Sequence, residues 1–110
     1  MIRYKNFGSL LAEVDNLDKF GTLFACKSGW AEDPSNTEIL LLLGDDELED
    51  LDGHGNPMLA NKYGASYFFD VEIFQSVIDL QRKNNSKSNV NDYIHAINYY
   101  LENDDFYEVT

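Results

Sequence analysis

The sequence predicts a small α+β domain in which about three main strands are backed by helices, two of them at the C-terminus. Three observations carry this reading. Apolar residues recur at helical spacing in separate stretches, short β-prone runs lie between turn-forming residues, and the elements follow the order helix, strand, strand, short helix, strand, helix, helix. A length of 110 residues, with 44% hydrophobic and 14% aromatic residues, fits one domain over residues 1–110 with enough bulk to fill a core, so disorder is not expected.

From Asn6 to Lys19, Phe7, Leu10, Leu11, Val14 and Leu17 form one apolar stripe, while Glu13, Asp15 and Asp18 lie off it. This predicts a first helix ending near Gly21. Thr22 to Lys27 reads as a strand, and Glu38 to Leu43, an aliphatic run closed by Gly44, as a second strand buried on both faces. Between them, the turn formers after Trp30 predict a surface connection with one large aromatic at its base. Asp45 to Asp52 carries six carboxylates in eight positions and reads as an exposed acidic loop. Asn56 as N-cap and Pro57 at the first helical position predict a short helix stopped by Gly64. Ser66 to Asp70 reads as a third strand, and Asp70 is placed to cap a helix with Ile73, Phe74, Val77, Ile78 and Gln81 on one face. The polar stretch from Asn84 to Asn89 breaks that helix. A last one follows, with Val90, Tyr93, Ile94, Ile97, Tyr100 and Leu101 on its stripe.

The formal charge is -12, from 20 acids and 8 bases, and the pI is near 4.2. Such a surface repels nucleic-acid phosphates and anionic lipid and attracts cationic proteins over distance. The longest apolar run, Ile39 to Leu43, is far shorter than a membrane helix, and Met1 to Lys5 lacks the apolar stretch of a signal peptide. A soluble, cytoplasmic protein is expected, with no direct contact to nucleic acid or membrane.

Candidate chemistry is sparse. Cys26 is the single cysteine, which excludes an internal disulfide, and its place in a predicted strand beside Phe24 reads as a core thiol. His54 and His95 have no second ligand at zinc spacing. Asp50-Leu51-Asp52-Gly53-His54-Gly55 resembles the start of a calcium loop, but His54 stands at position 5 in place of Asp or Asn, and Asn61 at position 12, where a bidentate Glu is required. Paired carboxylates abound without a signature that selects any pair as acid and base, and no phosphate loop or triad motif is present. No catalytic, metal-ligating or cofactor-binding residue is therefore assigned, and no enzyme activity is expected.

Acids beside exposed-looking aromatics recur at two places, around Trp30 and at the C-terminal end. Aromatic anchors ringed by charge are the usual material of interface hot spots, and complementary charge speeds encounter. The candidate partner-binding residues are Trp30, Asp45, Asp46, Glu47, Glu49, Asp50, Tyr99, Asp104, Asp105, Phe106 and Tyr107. For Phe106 and Tyr107 the competing reading is that they fold back to cap the core.

The string Asp92-Tyr93-Ile94-His95-Ala96-Ile97-Asn98-Tyr99-Tyr100-Leu101-Glu102-Asn103-Asp104-Asp105-Phe106 resembles the ending of a family of small acidic bacterial proteins. The family's other pieces correspond here to the aliphatic strand Ile39 to Leu43, the acidic stretch Asp45 to Asp52, the Pro-led helix Pro57 to Tyr63 and the aromatic strand Tyr67 to Phe69. In size and acidity the chain is similar to immunity proteins of contact-dependent growth inhibition systems. That similarity implies a non-enzymatic inhibitor that binds one cationic toxin domain, a nuclease above all, and covers its active site. It transfers no individual residue. The alternatives are an acidic mimic of nucleic acid that blocks a DNA-binding enzyme, which would need regularly spaced acids over a long face, and a small hydrolase or accessory metalloprotein, which would need a pocket of converging polar groups.

Overall fold

The aliphatic run Ile39–Leu42 has no polar side, and it becomes an inner strand buried on both faces. The computed structural model describes residues 1–44, 47, 51, 53 and 55–104, and the chain falls into two compact units, Met1–Val71 and Glu72–Thr110. The first unit holds a four-stranded antiparallel sheet of β1 (Ile2–Tyr4), β2 (Thr22–Ala25), β3 (Ile39–Leu42) and β4 (Ser66–Asp70), in the order β1-β3-β2-β4. The three expected strands are present, and β1 is a fourth that the sequence reading lacks. Its exposed Ile2 and Arg3 carry no amphipathic signal, so pairing of Ile2 with Leu41 and Tyr4 with Ile39 creates it.

Register sorts the core side chains by face. Leu23, Ile39, Leu41 and Phe69 share one face, and Phe24, Leu40, Leu42 and Tyr67 the other. Pairing passes from Leu23 and Phe69 directly to Phe24 and Tyr67, so Phe68 is the extra residue of a bulge. That extra residue explains why Phe68 and Phe69, adjacent in the chain, are both buried.

The predicted helix from Asn6 to Lys19 is shorter than expected. Helix α1 (Phe7–Ala12) starts at Asn6, whose side chain accepts from the Ser9 N–H at 2.8 Å, and gives way to a 3-10 turn at Val14–Asn16. The Glu13 amide donates to the Leu10 carbonyl at 3.1 Å and the Asn16 amide to Glu13 at 2.9 Å, a tighter winding that still leaves Val14 and Leu17 buried. The expected surface connection after β2 is instead a helix, α2 (Lys27–Glu32), followed by a 3-10 turn at Pro34–Asn36. Burial of Trp30 organises it, as described below.

Helix α3 (Met58–Asn61) begins one residue later than expected. Pro57 occupies the cap position, while the Asn56 side-chain Nδ2 donates to the Ala65 carbonyl at 2.9 Å and ties the two ends of the segment together. Gly64, at φ +68°, closes it in a left-handed conformation that favours glycine. The small side chains of Ala60 and Ala65 let the segment lie on Phe24, Leu40 and Leu42, with Leu59 at the margin.

Helix α4 (Val71–Asn84) follows β4 directly, and the Val71 N–H donates to the Gly21 carbonyl at 3.1 Å. In the second unit, Phe74, Val77, Ile78 and Gln81 are buried at helical spacing as expected. Helix α5 (Val90–Asn103) opens with a capping box, in which Asn89 accepts from the Asp92 N–H and Asp92 from the Asn89 N–H, each at 3.0 Å. Its buried face is Tyr93, Ile94, Ala96 and Ile97; Val90 and Leu101, expected on the inner stripe, are exposed because they lie at the helix ends. The architecture is α+β with two C-terminal helices. Among the described residues no helix is long and apolar enough to cross a membrane.

Candidate binding surface

The candidate residues meet different fates. Asp45, Asp46, Glu49, Asp50, Asp105, Phe106 and Tyr107 lie outside the described residues. Trp30, expected as an exposed aromatic, is only 6% exposed. Its indole packs 5.5 Å from the Phe7 ring and 4.9 Å from the Phe68 ring, centroid to centroid, so the bulge that turns Phe68 inward also covers Trp30. Glu47 is half-buried and serves the chain itself, accepting from the Leu43 N–H at 2.8 Å and pairing with the N-terminal ammonium. Hydrogen bonding to that ammonium, assisted by the Leu43 amide, holds its carboxyl below the usual glutamate range. At the end of α5, Tyr99 is half-buried and its carbonyl accepts from the Asn103 side chain at 2.9 Å. The exposed Asp104 caps the helix at φ 51°, donating its N–H to Tyr100 at 2.8 Å.

Cys26 is not a core thiol. Because β2 ends at Ala25, the cysteine falls at the N-cap of α2 and is half-buried, with Sγ 3.2 Å from the Ser28 hydroxyl. Hydrogen bonds from the Ser28 hydroxyl and then the Gly29 backbone stabilise the thiolate and lower the thiol pKa from its ordinary value.

Sequence reading passed over Phe20, which is 82% exposed. The Asp18 side chain accepts from the Phe20 N–H at 2.9 Å, and the Asp18 carbonyl accepts from the Gly21 N–H at 2.9 Å. Two bonds from one residue thus close a turn that presents the ring outward. Glu13, Asp15 and Asp18 are exposed in the same connection, and the Lys19 ammonium lies 5.5 Å from the ring centroid. The available signal was the aromatic between Asp18 and Gly21, where an Asx turn meets a glycine.

On the other sheet face an open groove of about 490 Å³ is lined by Lys27, Asn56, Asn61, Ser66 and Tyr67, with Gly55, Gly64 and Ala65 as small neighbours. Tyr67 is 52% exposed, stands edge-on to Phe24 at 6.4 Å, and its hydroxyl accepts from the Asp70 N–H at 3.2 Å. At the β1 edge, Arg3 donates to both Glu38 oxygens at 3.3 and 3.0 Å and lies 4.8 Å from the Tyr63 ring centroid.

Comparison with the curated proteins and with the solved structures gives no match. Residues 5–109 match the model of a domain of unknown function, DUF7716, and the chain belongs to that family.

Proposed function

We propose that the chain is an immunity protein: a non-enzymatic, cytoplasmic inhibitor that binds a cationic toxin domain of a bacterial contact-dependent growth inhibition system, of nuclease type, and covers its active site. Charge is the observation that supports it. Eight basic side chains cannot neutralise twenty acids, and two of the bases, Arg3 and Arg82, already face Glu38 and Asp79. A nuclease must hold phosphate and so presents cations at its active site; an acidic protein laid over that site gains encounter rate and excludes the substrate. The cytoplasm is where a delivered nuclease meets its substrate, so the inhibitor acts there.

Stopped-flow association with the purified product of the adjacent gene tests the reading. The association rate constant is expected to fall about tenfold or more from low to high salt, because salt shortens the Debye length from about 30 Å at 0.01 M to about 3 Å at 1 M. A rate indifferent to salt removes the role given to charge. Absence of both binding and growth protection removes the immunity reading itself.

A further inference from the structure

We propose that Phe20 is the aromatic anchor of the docking surface, seating in an apolar pocket rimmed by Lys or Arg on the cationic toxin; this rests on the immunity reading. Its exposure sets it apart among the described residues, since at 82% it greatly exceeds the exposed aromatics Tyr67 and Tyr63, at 52% and 38%. The backbone that carries the ring is also held in place. Asp18 bonds both the Phe20 and Gly21 amides, and the Gly21 carbonyl is fixed by the Val71 N–H. A Cβ at Gly21 would stand 2.6 Å from a Leu41 methyl and 2.7 Å from a Leu43 methyl, so the turn is seated directly against the sheet. An aromatic displayed from a fixed backbone loses little conformational entropy on binding, which is what a hot spot requires.

The surroundings define the occupant. Glu13, Asp15 and Asp18 form an exposed acidic setting, and Lys19 already places a cation near the ring. A partner with an apolar pocket edged by Lys or Arg would meet both the ring and the carboxylates. A second copy of this chain, a nucleic acid and an anionic membrane are all disfavoured by the -12 charge.

The test measures binding of the purified product of the adjacent gene to the wild type, to Phe20→Ala and to the double variant Glu13→Gln/Asp15→Asn, with melting temperatures for all three. Phe20→Ala is expected to keep its melting temperature and lose at least about thirtyfold in affinity, mainly through faster dissociation. The double variant is expected to slow association with little change in dissociation. Unchanged affinity in a folded Phe20→Ala overturns the anchor and leaves the immunity reading intact. A melting temperature that falls in step with affinity assigns the ring to the fold and also overturns it. If the wild type neither binds nor protects, both proposals fall.

Discussion

Cys26 shows how one residue of shift along the chain alters chemistry. Inside a strand the thiol would have been a small apolar filler; at the start of α2 it meets the Ser28 hydroxyl and the Gly29 amide. Both favour the thiolate, so the midpoint of its ionisation lies below the ordinary value for a cysteine thiol. As the single cysteine it gives a clean readout. Iodoacetamide modification followed against pH is expected to show a midpoint below that value, and Ser28→Ala is expected to move the midpoint up and slow modification at pH 8. A midpoint at the ordinary value in the wild type would mean that these bonds do not form in solution. Trp30 and Phe20 make the same point about position. The indole is enclosed by Phe7 and Phe68, whereas the phenyl ring is turned outward by the bonds of Asp18.

Elements of this protein are short, and local bonds decide where several of them begin. Helix α5 has the strongest local start, since Asn89 and Asp92 satisfy each other's backbone amides. Replacing Asn89 by Ala removes the acceptor for the Asp92 N–H and leaves an orphan donor at the first turn. Chemical denaturation of Asn89→Ala is expected to show a loss of about 1 kcal/mol, with Asn89→Asp retaining most of the stability because it still presents an acceptor. Equal stability of Asn89→Ala and the wild type would show that water replaces the cap without cost. Helix α2 is the opposite case. Its six residues include Gly29, so the buried Trp30 ring has to supply what local propensity does not.

At the scale of the whole molecule the dominant property is charge. A net -12 on 110 residues acts against folding, because the native state concentrates like charges that the unfolded chain spreads apart. Sodium chloride is therefore expected to raise the melting temperature, on the order of 5 °C between low and high salt, by screening this repulsion. A melting temperature that drops with salt would mean that attractive pairs such as Arg3 with Glu38 outweigh the repulsion. The same excess that weakens the fold is what the proposed function uses to draw a cationic partner, and the two effects should screen over the same salt range.

Local patterns alone determined the α+β class, the both-faces-buried β3, the boundaries of β4 and the two C-terminal helices. The acidic balance that motivates the functional reading is likewise a property of composition. Tertiary structure decided the rest. β1 exists only through its pairing with β3, α2 is organised by an aromatic pocket assembled from α1 and β4, and the bulge at Phe68 sets which ring covers Trp30. Of the candidate surface, sequence alone could pair acids with aromatics but could not say which rings face water. Contacts with Phe7 and Phe68, far away in the chain, bury Trp30, whereas the local bonds of Asp18 turn Phe20 outward and the Val71 N–H fixes the adjoining Gly21 to the sheet.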